Sequence, residues 1–376
     1  MKPATPWKGL WGLAAAGVIV LPPVAGWFQE IGHRWLFILL LSFSLSVGAM
    51  PLCHLAAMRL GIIDRPDSRK RHAQPTPKLG GVAIYIAMLG ALAANSILLE
   101  GMGVLVGAAT MLLAIGLLDD WRGAPASWRL IVQMAAAVVV MLSGQMLTLF
   151  PQTPLGQVAN VALTVLWIIG ITNAFNFFDG LDGLAGGLAV IIAGFMGIIA
   201  FHMHQPLLGW MSAALVGASL GFLLYNWRWK RPALIFLGDS GASFVGFMLA
   251  VLAVTGDWSS SDPLVSISNP LLIFGVLIFD MVHITVARLV TGRVRTFQEW
   301  IDYVGTDHLH HRLLELLRRP AMAVWFIFLL NIALGLSALE LRNATLAEAL
   351  LLMLQAVIIL VLVTLLEYHS HRSRTP

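Results

Sequence analysis

Cysteine and charge are both scarce in this chain, and each scarcity excludes something. Cys53 is the single cysteine and lies in an apolar run, so neither a disulfide framework nor a cysteine-based metal site can be built. Charged residues are 11% of the 376, against roughly 25% in soluble domains, which excludes an aqueous globular body. Low-complexity linkers and repeats of fixed period are also missing. The chain reads as one integral membrane domain over 1–376.

What is present is apolar. Hydrophobic residues make up 59%, in runs of about twenty, the length a helix needs to cross a hydrocarbon core. The sequence predicts about twelve transmembrane helices: 9–28, 34–59, 79–98, 101–119, 127–148, 155–173, 183–203, 207–226, 235–255, 268–290, 321–340 and 344–367. Continuous apolar segments imply an all-α polytopic bundle, since a membrane barrel would show short alternating strands. Lys2, Lys8 and the apolar run behind them resemble a signal peptide, but Pro22-Pro23 and the lack of a following soluble domain point to a kinked first helix.

Lys and Arg orient the bundle. With the loop at 60–78 inside, alternation leaves only Arg34 and Arg342 on the other face, so 21 of the 23 basic residues are cytoplasmic, as are both termini. The pI near 9.5 follows from that asymmetry and from contact with anionic membrane lipids; it suits a polyanionic nucleotide sugar and does not call for nucleic acid. Two inside loops are long. One, Asp64 to Gly81, is basic and rich in Pro and Gly; the other, Thr291 to Pro320, carries histidines, with Thr296–Val304 fit for a short amphipathic surface helix.

Four polar knots interrupt the apolar pattern, all on the inside face. Asp119-Asp120 closes a helix, where acidic groups oppose the macrodipole and adjacent carboxylates repel; metal-linked or general-base carboxylates account for them. Arg129, at the next helix start, can grip phosphate or reach headgroups. The run Asn173-Ala-Phe-Asn176-Phe-Phe-Asp179-Gly180-Leu181-Asp182-Gly183 mixes carboxamides, carboxylates and turn glycines. Asn176 offers a neutral oxygen of the kind Mg²⁺ accepts, and Asp179 and Asp182 can accept hydrogen bonds from a base or ribose. Gly238-Asp239-Ser240-Gly241 opens a helix, with Asp239 either a cap or a direct metal ligand; Phe236 and Asn226 nearby can stack on and bond a nucleobase. His308-Leu-His310-His311-Arg312 suits a cationic grip on pyrophosphate better than zinc, which wants further ligands at defined spacing.

These motifs resemble, in order and from about Asp64 to Leu314, those of the polyprenyl-phosphate N-acetylhexosamine-1-phosphate transferases, glycosyltransferase family 4. The matching stretches are Pro75-Thr-Pro-Lys-Leu-Gly-Gly81, Asp119-Asp120, Asn173 to Leu184, Gly238 to Gly241, and His308-Leu-His-His-Arg-Leu313. The resemblance implies a ten-helix core, here 34–340, with one extra helix at each end (9–28 and 344–367). It implies catalytic carboxylates at Asp119 and Asp120 and Mg²⁺, or Mn²⁺, held by Asn176 and Asp239. Gly180, Leu181, Asp182, Asn226 and Phe236 would surround the nucleotide; Arg129, His308, His310 and His311 would contact phosphate or sugar. The histidine pattern is closer to the branch that loads N-acetylglucosamine-1-phosphate onto undecaprenyl phosphate than to the branch that loads phospho-muramoyl-pentapeptide. The loop Gly292 to Val304 departs from that branch's usual Gly-Arg-Ser-Pro-Phe type, which leaves other UDP-aminosugars open.

The implied reaction is transfer of the sugar-1-phosphate from a UDP-N-acetylhexosamine to undecaprenyl phosphate in a bacterial cytoplasmic membrane, with release of UMP. A homodimer stays open. The rival class is a secondary transporter, which also uses broken helices and carboxylates, although near the midplane rather than at helix ends.

Overall fold

A computed structural model describes residues 6–66, 74–97, 103–228, 231–259, 263–303, 305 and 307–372. Each predicted apolar run contains helix, although the run at 127–148 leaves it after Leu142, and residues 98, 101 and 102 lie outside the described residues. Eight helices are long and apolar enough to span a membrane, or up to ten if each of two bent pairs is one span. Two more apolar helices are shorter, at 15 and 17 residues. The protein is therefore a polytopic helical membrane protein. Arg69, Lys70 and Arg71 of the basic loop lie outside the described residues, as do 260–262 of the loop after Gly256.

The chain groups into two compact units, Met1–Gly256 and Asp257–Pro376. The first holds α1 (Trp11–Ile19), α2 (Pro22–Glu30), α3 (Arg34–Leu60), α4 (Gly80–Ala94), α5 (Gly103–Arg122), α6 (Ala126–Leu142), α7 (Pro154–Phe177), α8 (Leu184–His202), α9 (Pro206–Asn226) and α10 (Gly238–Thr255). The expected kink in the first span is a 69° bend at Leu21, whose ψ of 136° leaves the helix ahead of Pro22-Pro23. Before α4, strands β1 (Ile63–Asp64) and β2 (Thr76–Pro77) pair antiparallel, Ile63 opposite Pro77. An all-helical reading did not foresee this ladder.

Small residues decide how the first unit closes. With no water to expel between lipid-bathed helices, close backbone approach supplies the attraction. A Cβ on Gly81 of α4 would strike the Gly241 backbone of α10, and one on Gly116 of α5 would strike Ser240. Thus α4 and α5 both press on the first turn of α10, which is buried along nearly its whole length. Phe175 of α7 lies against Gly246 of α10, whose own Phe244 and Phe247 are fully buried.

The second unit holds α11 (Pro263–Ile273), α12 (Gly275–Val290), α13 (Phe297–Asp302), α14 (Leu309–Leu317), α15 (Pro320–Glu340) and α16 (Leu346–Arg372). Here the expected single span at 268–290 is two helices bent by 80° at Phe274-Gly275, just past Pro270. Asn331 of α15 donates to the Ile273 carbonyl at 2.9 Å, satisfying a group the break exposes. The expected amphipathic segment forms as α13, closed by a capping box between Thr296 and Glu299. The histidine run, read as loop, is helical from Leu309 on in α14, with His308 at its N-cap.

Candidate active site

Three of the four polar knots meet in the first unit, at the start of α10. Gly238 turns there with φ +79°, in space bounded by the Lys78 carbonyl and the Asp120 side chain; a side chain would fail on both counts. Asp120, from the end of α5, accepts from Asp239 N at 3.0 Å and Ser240 N at 2.9 Å. It thereby caps α10 across 119 residues of sequence, where the helix end favours negative charge. The side chain is fully buried.

Asp239 points out of the same turn and is a third exposed. Asn176, on the last turn of α7, donates Nδ2 to Asp239 Oδ1 at 3.3 Å. Arg129, from the first turn of α6, places Nη1 3.0 Å from Asp119 Oδ2 and 3.6 Å from Asp239 Oδ1. Asp119 Oδ1 also accepts from Ala124 N at 2.6 Å. So Asp119, Asp120, Asn176, Asp239 and Arg129 are brought together by four helices.

Lys78 completes the group, and the sequence reading had not singled it out. Its Nζ is 3.5 Å from Asp120, 3.6 Å from Asp64 and 4.0 Å from Asp239. Burial works against its charge, but the Asp120, Asp239 and Asp64 carboxylates outweigh that and hold its pKa above the usual lysine value. The signal was available: one lysine between Pro-Thr-Pro and Leu-Gly-Gly, in a segment with no room to move. That segment is fixed by Phe236 N to Pro77 O at 2.8 Å, Gly80 N to Phe236 O at 2.9 Å and Gly81 N to Leu237 O at 2.9 Å.

The turn between α7 and α8 lies beside the carboxylates. Asp179 is almost enclosed by protein, and burial pushes its carboxyl up to about 8, with Asp239 and Asp120 adding and Lys78 opposing. Of the residues expected around a nucleotide, Gly180 and Asp182 are exposed, Leu181 and Phe236 are half-buried and Asn226 is buried. Asn226 acts as a strut: Oδ1 accepts from Gly183 N at 2.7 Å and Nδ2 donates to Ile235 O at 3.0 Å. Asp182 accepts from Ala233 N at 3.0 Å. Both tie the α7–α8 turn to the segment leading into α10. Asn173 is also a packing group, donating to Gln133 and Ile169 at 2.8 Å each.

The fourth knot, His308, His310 and His311, belongs to the second unit. His308 precedes α14 and binds Asp280 of α12; His310 and His311 lie in its first turn with ring centroids 4.0 Å apart. Among the described residues, no group of three His, Cys, Asp or Glu side chains is arranged to hold a metal ion. Mg²⁺ asks less of a protein, taking one or two hard oxygens and completing its shell with water and substrate phosphates. Asn176 and Asp239 in contact, one neutral and one anionic, fit that demand once the carboxamide oxygen replaces its nitrogen as the facing atom.

Residues 102–257 match the model of glycosyl transferase family 4, a stretch running from α5 through α10. The chain is 32% identical over 302 residues, 78% of its length and 81% of the relative's, to a "Probable undecaprenyl-phosphate N-acetylglucosaminyl 1-phosphate transferase" of Bacillus subtilis. It is 31% identical over 307 residues, 73% of each chain, to a "Decaprenyl-phosphate N-acetylglucosaminephosphotransferase" of Mycolicibacterium smegmatis. Similarity extends to an "Undecaprenyl-phosphate alpha-N-acetylglucosaminyl 1-phosphate transferase" of Escherichia coli K12, 26% over 266 residues, 69% of this chain and 71% of that one. These relatives set the transporter reading aside. The chain belongs to glycosyl transferase family 4, among the membrane enzymes of its polyprenyl-phosphate N-acetylglucosamine-1-phosphate transferase branch.

Proposed function

We propose that this enzyme transfers N-acetylglucosamine-1-phosphate from a UDP-sugar to undecaprenyl phosphate at the cytoplasmic face of a bacterial inner membrane, starting a lipid-linked envelope glycan. The observation that carries the reading is the meeting of Asp119, Asp120, Asn176 and Asp239 with Arg129 and Lys78 at the ends of apolar helices. A lipid phosphate lies at that depth, and a polyanionic donor reaches it from water. The inside placing of 21 of 23 basic residues supports the orientation.

An oxygen of the lipid phosphate attacks the β-phosphorus of the donor. A new phosphoanhydride bond forms, the bond from the β-phosphorus to the bridging oxygen breaks, and UMP leaves with that oxygen. Little covalent chemistry is required of the protein, so positioning and charge neutralisation account for the rate. Asn176 and Asp239 are the residues that would hold Mg²⁺, which neutralises developing charge on the diphosphate when bound. Arg129 and Lys78 are placed to trade their carboxylate partners for phosphate oxygens. Asp120 spends both oxygens on the α10 amides, which makes it a positioning carboxylate. Asp119, whose Oδ2 is held by Arg129, is the better placed of the pair to take a proton once Arg129 turns to phosphate. For the α14 histidines we adopt the phosphate or sugar contact that the family resemblance implies.

The test is a purified-enzyme assay with undecaprenyl phosphate, Mg²⁺ and a panel of UDP-sugars, read as UMP release. UDP-N-acetylglucosamine is expected to be the best donor, and chelation of divalent cations to stop turnover. UMP release from no UDP-sugar would overturn the proposal; turnover of another aminosugar would correct the donor alone.

A further inference from the structure

The second unit holds a carboxylate that the reaction above does not use. Asp280 lies midway along α12, an apolar helix, and is fully buried. An ionisable group at such a site is costly unless fully bonded, and it marks function by default. Its bonds all lead to one short segment. Oδ2 accepts from His308 Nδ1 at 2.8 Å; Oδ1 accepts from Leu309 N at 2.7 Å and stands 3.5 Å from Arg312 Nη1.

From this geometry we infer that Asp280 is the positioning residue of the histidine segment. It fixes the tautomer of His308 and, through the first turn of α14, the placing of His310 and His311. The inference rests on the proposed function only in assigning those histidines to sugar-phosphate handling.

Three features support a positioning role over simple charge burial. First, His308 stands at the N-cap of α14 but makes no side-chain cap bond; Asp280, from another helix, satisfies the Leu309 amide instead. Second, a carboxylate that accepts from Nδ1 requires the proton there, so Nε2 becomes the atom through which neutral His308 accepts. Third, the rings follow from that anchor: His308 and His310 are parallel within 16° at 6.1 Å, and His310 is 4.0 Å from His311. Arg312 balances the carboxylate and is itself held by Glu367 of α16 at 3.0 Å and by the Asp307 carbonyl at 2.6 Å.

Asp280→Asn keeps the size of the side chain but offers one acceptor where two N–H groups need one each. In the full-length enzyme, assayed with UDP-N-acetylglucosamine and undecaprenyl phosphate, it should lower kcat by about ten- to a hundred-fold, as loss of an orienting partner does. KM should stay within about two-fold. Against His308→Ala the same change should add almost nothing, because a residue acting through His308 has nothing left to position. An equal loss in both backgrounds, or full activity of Asp280→Asn, would overturn the inference. If Asp280→Asn does not fold, Asp280→Glu, which keeps the charge and displaces it, carries the same cycle. Nitrogen-15 spectra of histidine-labelled protein separate this question from the function. The signal lost in His308→Ala should report an Nδ1-protonated ring in the unsubstituted chain, and an Nε2-protonated ring would sink the inference even in an active enzyme. Absence of UMP release by the unsubstituted enzyme would sink the proposed function while leaving the spectral test intact.

Discussion

Two buried carboxylates do the same structural work in the two units, and their surroundings differ in one respect. Asp120 reaches from α5 to two amides at the start of α10; Asp280 reaches from α12 to one amide and one imidazole at the start of α14. Each thereby sets the first turn of a helix bearing candidate chemistry. Around Asp120, however, Asp64 and Asp239 both lie within 4.0 Å of Lys78, and Asp119 and Asp239 both meet Arg129. Around Asp280, the acids Asp307 and Glu367 each have their own arginine, Arg288 bidentate at 2.7 and 2.9 Å and Arg312 at 3.0 Å. The first cluster keeps a carboxylate, Asp239, that is a third exposed; in the second, Arg288 faces Asp307, and Arg312 faces both Glu367 and Asp280. Under the proposed function a divalent cation and a diphosphate would complete the first, whereas the second has the character of a brace.

The strongest way to break that contrast is to remove the exposed member of the first cluster. Asp239→Ala should lower UMP release at least about a hundred-fold with little change in the thermal unfolding midpoint; near-normal turnover would take Asp239 out of the site. Asp120→Ala should show itself in stability, because it leaves two α10 amides without their acceptor and takes one of three carboxylates from Lys78: about 3–5 kcal/mol is expected for breaking a buried, paired charge. Asp119→Ala, with its half-exposed arginine partner, should cost about 1 kcal/mol or less. Equal destabilisation by the two would show that Asp120 is no special cap. Gly81→Ala tests the packing that brings the carboxylates together, since its methyl would meet the Gly241 backbone; overpacking costs about 1–3 kcal/mol, read by unfolding in detergent.

The smallest effect belongs to the brace. Burial opposes the charge of Asp307, but Arg288 outweighs it and holds the carboxyl below its usual value. A folded pKa below the unfolded one, about 3.9, means stability that is present above that pH and fades as acid brings the folded group to protonation. Thermal scans should therefore lose midpoint below about pH 4. Arg288→Met should start lower at pH 6 and fall less steeply; parallel pH curves would deny the pair any linkage.

Much of this protein was legible because the bilayer makes apolar length informative. Each of the twelve apolar runs contains helix, eight to ten of them long and apolar enough to span, and Pro22-Pro23 marked a bend that is present. The break at Phe274-Gly275 escaped notice because a gap of one residue leaves hydropathy continuous, although Pro270 and Gly275 were its markers. In the site, Asp119, Asp120, Asn176 and Asp239 were visible as polar groups where none should be. Asn226 and Asp182, read as nucleotide contacts, have backbone amides as partners, which no pattern of residue types reveals. Lys78 and Asp280 were missed for a shared reason. A lysine in a basic loop and a lone aspartate in a helix do not announce their partners: Lys78 meets Asp120, 42 positions on, and Asp280 meets His308, 28 positions on.

Composition and period by themselves determined a helical membrane protein whose polar groups cluster at helix ends, because a hydrocarbon solvent tolerates little else. The order of the motifs narrowed the chemistry. Which carboxylate faces outward and which one caps was decided only when Gly81, Gly116 and Gly241 let α4, α5 and α10 touch, since charge partners across a hundred residues exist only once backbones have packed.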